Sequence, residues 1–185
     1  MYDVKKSVVS DKKDSQTIGM GELYMQCECC QAEIPKGKIR CPECKSPITQ
    51  TIEGFENTKA VQRQMRALIE EQHEKIGNTT QLIGMAADYL PDYDEERVLL
   101  RKMLRGGVLS VLLTDENKRE AVDKARELMT GELGASEKEA ELVLVVLTYM
   151  VKLPYMSKLA VDETKKKEEE KPKEKPVVVN IDTNP

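Results

Sequence analysis

Apolar residues recur every three to four positions through residues 57–160, and this spacing predicts an all-α domain. Breaks in the pattern divide the domain into a bundle of about five helices. Pro91 should end the second helix, and Gly106-Gly107 should interrupt or bend the third. The apolar face of the first helix is formed by Val61, Met65, Leu68, Ile69 and Ile76.

The last helix of the domain has the clearest start signal. Ser136 and Glu139 form an S-x-x-E capping box. Residues 142–151 are then apolar nearly all round, which predicts a helix at the centre of the bundle. The stretch is about half as long as a membrane span, so we interpret it as a core helix.

Both ends of the chain are polar. Residues 1–20 show no apolar periodicity, and residues 163–185 form a Lys/Glu/Pro-rich tail in which six acidic and six basic charges cancel. Segments with so few apolar residues cannot offset the entropy of ordering, so both are predicted to be disordered. Residues 1–10 also lack the apolar core of a secretion signal, which favours a cytoplasmic location.

Composition narrows the class of protein. Aromatic residues make up 4% of the chain, with no Trp and one Phe, which argues against a large β-sandwich. The net charge of −4 is not typical of a protein that coats nucleic acid.

Four of the five cysteines form a C-x2-C-x10-C-x2-C array within residues 21–52. Two such pairs can place four thiolates tetrahedrally around one zinc ion. A segment this short has no core of its own, so metal binding would supply its folding energy, on the order of 10–16 kcal/mol. We therefore predict one structural zinc ion, with the ligands Cys27, Cys30, Cys41 and Cys44.

The array resembles the zinc-ribbon group of folds, and the resemblance is confined to residues 27–44. It rests on Cys27, Cys30 and the sequence Cys41-Pro-Glu-Cys44, in which proline presets the turn. The resemblance implies two metal-binding turns joined by short strands. Gln31 and Lys45 stand where common ribbons have glycine. The group includes transcription factors, ribosomal proteins, replication proteins and adaptors, so it implies structural zinc rather than one function.

Alternatives to this assignment stay open. Rubredoxin-like iron would use the same four thiolates, and Cys29 could replace Cys27 or Cys30 or act as a reactive thiol. A four-thiolate shell leaves no open position for catalysis. His73, the only histidine, lies among glutamates and is predicted to be solvated. With no convincing nucleophile–base pair, we expect no enzymatic activity.

Two groups of basic residues could meet phosphates. The ribbon carries Lys36, Lys38, Arg40 and Lys45. A second group shares one face of the third helix and could instead be a solvated face paired with carboxylates such as Glu96. This second group comprises Arg97, Arg101, Lys102 and Arg105. The helical methionines are either core filler or the lining of an adaptable partner groove. They are Met65, Met85, Met103, Met129 and Met150.

We predict a non-enzymatic, zinc-binding adaptor or regulator that acts through protein–protein interaction. The alternative is a nucleic-acid-binding transcription or replication regulator that uses the ribbon and the basic helix face. In either case, residues 21–52 and 57–160 should be separable domains, since the linker around residues 51–57 carries few apolar residues. The identity of the partner and the oligomeric state stay open.

Overall fold

The computed structural model describes residues 24–161. Within this range, two short strands precede the helices. Strands β1 (Tyr24–Gln26) and β2 (Glu33–Pro35) form an antiparallel hairpin in which Met25 lies opposite Ile34. The segments predicted to be disordered, residues 1–20 and 163–185, lie outside the described part of the chain.

The described residues contain six α-helices, and their packing places α6 in the middle. A 3₁₀ turn follows α1 at His73–Lys75, and a π-helical turn follows α5 at Leu128–Glu132. The helices are α1 (Thr58–Glu71), α2 (Thr79–Tyr89), α3 (Asp94–Arg105), α4 (Val108–Thr114), α5 (Lys118–Glu127) and α6 (Glu137–Met150).

The prediction of about five helices is wrong, because the third predicted helix is two helices, α3 and α4. The chain turns at Gly106-Gly107. Gly107 adopts a φ of 84°, a left-handed conformation that a helix cannot continue through. Gly106 lies so close to Leu133 that a β-carbon there would be 2.4 Å from Cδ1 of Leu133. Gly107 therefore supplies the left-handed backbone conformation of this turn, and Gly106 leaves room for the side chain of Leu133.

Helix α6 is the central helix that its sequence predicts. Residues 140–148 are all buried, and α6 packs against α1, α3 and α5. The capping box is formed in both directions: the Ser136 hydroxyl accepts from the Glu139 N–H, and the Glu139 carboxylate accepts from the Ser136 N–H. The capping box and the burial of the apolar residues both favour a helix in this segment, so the local and the tertiary interactions are consistent.

Buried apolar residues form two clusters in residues 24–161. The large cluster fills the helical bundle and includes Ile52, which precedes α1. The small cluster consists of Cys27, Ile34 and Cys41. Two of its three members are predicted metal ligands, so the apolar core of this module is very small.

The buried methionines act as core filler. Met65, Met103, Met129 and Met150 are all essentially inaccessible to solvent. They are therefore not available to line an open groove, and only Met85 among the five helical methionines is partly exposed.

None of the helices between residues 24 and 161 combines the length and the apolar character needed to span a membrane.

Candidate metal centre

The two C-x2-C turns have the same backbone geometry. In the first, the N–H of Gln31 donates to the carbonyl of Cys27 at 2.8 Å, and the N–H of Cys27 donates to Ala32 at 2.8 Å. In the second, the N–H of Lys45 donates to Cys41 at 3.1 Å, and the N–H of Cys41 donates to Ser46 at 2.9 Å. The repeated pattern presents two matching pairs of thiols.

The residue after each cysteine pair adopts a left-handed conformation. Gln31 has a φ of 63° and Lys45 a φ of 60°. These are the positions where common zinc ribbons carry glycine, and a β-carbon there costs about 1–2 kcal/mol. Both turns form the expected geometry without glycine, so the contacts around them must offset this strain.

The four predicted ligands come together at one point. Their sulfur atoms all lie within 4.8 Å of one another. The Sγ atoms of Cys27 and Cys44 are 3.6 Å apart, and those of Cys30 and Cys41 are 3.5 Å apart. Tetrahedral zinc with Zn–S bonds of about 2.3 Å separates its sulfurs by about 3.8 Å. The cluster could therefore hold one metal ion.

The pKa values of three of the thiols differ from the ordinary value for cysteine. Hydrogen bonds from Ser46 lower the pKa of Cys44 to about 6. Burial raises the pKa of Cys27. At Cys30, a backbone hydrogen bond from Ala32 lowers the pKa, but burial and the neighbouring thiols outweigh it and raise the pKa to about 12. A positive ion bound in the cluster would stabilise the thiolates of Cys27 and Cys30 and so oppose these raised pKa values.

Cys29 and His73 lie outside the four-sulfur cluster. Cys29 is exposed between two of the predicted ligands and lines a groove of about 500 Å³ between the ribbon and α1. The guanidinium groups along this groove are already engaged: Arg63 pairs with Glu28, and Arg66 pairs with Glu70. His73 is exposed in the 3₁₀ turn after α1.

A pair of glutamines ties the end of the ribbon to the first helix. The N–H of Gln50 donates to Oε1 of Gln62, and Nε2 of Gln62 donates back to the carbonyl of Gln50, both at 3.0 Å. Gln62 is completely buried. Sequence reasoning missed this contact, although Gln62 lies on the apolar face of α1 next to Val61, and a polar residue there was the available signal.

The segment that follows α6 runs back to the ribbon exit. Gln50 donates through Nε2 to the carbonyl of Tyr155 at 2.8 Å and accepts from the N–H of Ser157 at 2.8 Å. The N–H of Val161 donates to the carbonyl of Thr51 at 2.9 Å. The predicted linker around residues 51–57 is therefore held by the end of the helical domain.

A buried carboxylate fixes this C-terminal segment to the bundle. Glu141 of α6 accepts from Tyr155 and Ser157 through Oε2, each at 2.5 Å, and from Arg126 through Oε1 at 3.0 Å. Each carboxylate oxygen thus has at least one partner, which a buried charge requires. Burial, together with the Glu141 carboxylate, raises the pKa of Tyr155 above its ordinary value.

Two arginine contacts join the ribbon to the helices. Arg63 of α1 forms a bidentate pair with Glu28, with distances of 2.8 Å and 2.6 Å, and the hydrogen bond from Arg63 lowers the pKa of Glu28. Arg40 donates through Nη2 to the carbonyl of Lys152 at 2.6 Å. These contacts orient the two C-x2-C turns against the bundle.

No protein-family model matches this chain, and searches of curated proteins and of solved structures found no match either. The resemblance to zinc ribbons therefore depends on the cysteine spacing and on the geometry of the four-sulfur cluster.

Proposed function

We propose that this protein is a non-enzymatic adaptor or regulator that binds one structural zinc ion and acts through protein–protein interaction. The observation that supports it is the four-sulfur cluster of Cys27, Cys30, Cys41 and Cys44. Four protein ligands complete the tetrahedral shell of zinc and leave no position for a substrate or a reactive water. The metal would therefore serve to hold a surface in shape.

Zinc fits the cluster better than iron does. Both ions accept four thiolates in a tetrahedral arrangement. A rubredoxin-like iron centre would be shielded from solvent by aromatic packing, and no aromatic residue occurs between Cys27 and Ile52. The cysteine pattern, with four of the five cysteines in C-x2-C pairs, suits metal binding in a reducing cytoplasm better than a disulfide framework.

The ribbon surface carries apolar side chains suited to a protein partner. Tyr24 and Met25 on β1 are 46% and 39% exposed, and Ile39 is 37% exposed. We call these three residues the ribbon apolar group. Contacts of Glu28 and Arg40 with the bundle hold the ribbon in place, so a partner would meet an ordered surface. Preorganisation of this kind reduces the entropic cost of binding.

Nucleic-acid binding, the alternative, has less support in the ribbon. Arg40 donates to the carbonyl of Lys152, and Lys45 donates to the carbonyl of Pro42. These two cations are therefore used within the chain. Binding to single strands also relies on aromatic stacking, which residues 27–52 cannot supply.

Crosslinking of the full-length, zinc-loaded protein in its native host tests the proposal. Variants of the ribbon apolar group, with Met25 and Ile39 both changed to Ser, should lose a protein partner that the wild type recovers, by about tenfold or more. The loss is expected because exposed apolar anchors dominate the binding energy of such interfaces. Quantitative mass spectrometry of the crosslinked material gives the ratio.

The matched control is Val98→Ser, because Val98 is an exposed apolar residue of α3, at 62% exposure, far from the ribbon in sequence. This variant should recover the partner at the wild-type level. Recovery that disappears after nuclease treatment would favour the nucleic-acid alternative. Equal recovery by the ribbon variant, with its zinc content intact, would contradict the proposed surface.

A further inference from the structure

A groove between α2 and the end of α3 has a volume of about 640 Å³. Two charged residues, Arg101 and Arg105, line it, and no carboxylate is among its lining residues in the described part of the chain. Its polar wall is completed by the hydroxyl-bearing Thr79 and Thr80 of α2. Ile83 and Ala87 add apolar surface. The groove thus has positively charged side chains on one side and apolar side chains on another.

The two arginines of the groove have no protein partner between residues 24 and 161. Nε of Arg101 is buried and makes no hydrogen bond there. Arg97, one turn earlier on the same face of α3, is by contrast paired with Asp94 and donates to the carbonyl of Leu90. Buried polar groups nearly always have a partner, so an anion bound to the rest of this guanidinium would compensate for the unsatisfied Nε of Arg101.

Gly84 lines the groove and has open space beside it. It lies inside α2, where glycine costs about 0.5–1 kcal/mol relative to alanine. A β-carbon at Gly84 would meet no atom within 4 Å, so no close packing requires glycine at this position. Because Gly84 has no side chain, the space beside it in the groove is unfilled.

We propose that this groove binds a small phosphate monoester that carries an apolar group. A phosphate offers several anionic oxygens, which can accept from two guanidinium groups and from threonine hydroxyls together. The apolar part would lie against Ile83 and Ala87. The volume falls within the range of small-molecule sites, about 300–1,000 Å³. This inference does not depend on the metal centre.

A small ligand fits the groove better than a nucleic acid does. No aromatic residue is among its lining residues in the described range, so a base would find no stacking partner. Arg97 is paired with Asp94, so it does not extend the row of unpaired cations along α3. Two unpaired arginines match one phosphate group rather than a phosphate backbone.

Amide and arginine side-chain NMR of the full-length, zinc-loaded protein tests the groove, with phenyl phosphate as the probe at constant ionic strength. Saturable shifts are expected at Thr79, Thr80 and Gly84. Inorganic phosphate and phenylacetate should bind more weakly, because the first lacks the apolar group and the second lacks the phosphate. Arg105→Gln and Arg101→Gln should each weaken binding by about tenfold or more, since each removes charge-assisted hydrogen bonds.

Two further variants make the test specific. Arg119→Gln removes the same charge from an exposed site on α5 and should leave binding unchanged. Gly84→Leu should place a side chain in the groove and abolish binding while the far-UV helical signal is kept. The absence of saturable shifts, equal weakening by Arg119→Gln, or full binding by Gly84→Leu would each overturn the proposal. Tight binding of an RNA oligonucleotide that depends on Arg105, without binding of phenyl phosphate, would overturn it in favour of nucleic acid.

Discussion

Removal of the metal by a chelator is expected to unfold residues 24–48 and to leave most of the helical far-UV signal in place. The small cluster of the ribbon has three buried members, and Cys27 and Cys41 are proposed metal ligands. Without the metal, Ile34 is the one buried apolar side chain left in that cluster. The binding energy of a structural zinc site, on the order of 10–16 kcal/mol, is then lost from the fold of this segment.

The helical bundle should survive because its own core is extensive. Its cluster contains residues from all six helices, and Ile52 belongs to it rather than to the ribbon. The side-chain contacts that cross between the two parts, such as the exposed pair of Arg63 with Glu28, orient the ribbon but contribute little to the stability of the bundle. Gln50 and Gln62 lie at the boundary and should stay with the bundle.

Residue-resolved NMR with and without the chelator checks this expectation. Amide signals of residues 24–48 should collapse to unfolded positions, while those of α1–α6 remain dispersed. Addition of zinc should restore the ribbon signals, and Cys29→Ser should behave as the wild type does. Cooperative loss of the helical signals on chelation would contradict the expected separation and would show that the ribbon and bundle fold as one unit.

Truncation of Leu147 to alanine is expected to lower the free energy of unfolding of the bundle by about 2–5 kcal/mol. Leu147 lies in the last turn of α6 and has no accessible surface. Truncation of this side chain would leave a cavity in the helical core, where the surrounding helices relax only in part. The cost should therefore be near that of other buried leucines.

Urea denaturation followed by far-UV circular dichroism, in the presence of zinc, measures this change. Leu113→Ala is the matched control, because Leu113 is also helical but is 41% exposed. Its cost should stay below about 1 kcal/mol. A cost for Leu147→Ala as small as that of the control would mean that α6 is not buried in the protein in solution.

Local patterns predicted the parts of the fold that depend on neighbouring residues. The spacing of the four cysteines identified the cluster, because a C-x2-C turn fixes two ligands within a few residues. Ser136, Glu139 and the apolar run after them predicted the start and the burial of α6. Gly106-Gly107 marked the break between α3 and α4, but sequence could not decide between a bend and a full turn.

Contacts between distant residues were out of reach of the same reasoning. Gln50 bonds to Tyr155 across 105 positions, and Arg40 bonds to Lys152 across 112. Nothing in the local sequence predicts such pairs, because they depend on how the last segment folds back over the bundle. The unpaired state of Arg101 and Arg105 is also a tertiary property: the sequence showed a basic face but not which of its members had partners.

Metal content of the purified full-length chain and its cysteine variants tests the central claim most directly. Elemental analysis should find one zinc ion per chain in the wild type and in Cys29→Ser. Cys41→Ser should lose the zinc, as should serine at Cys27, Cys30 or Cys44, because each change removes one of four ligands. Normal zinc content in Cys41→Ser, or none in Cys29→Ser, would contradict the assignment of the metal centre.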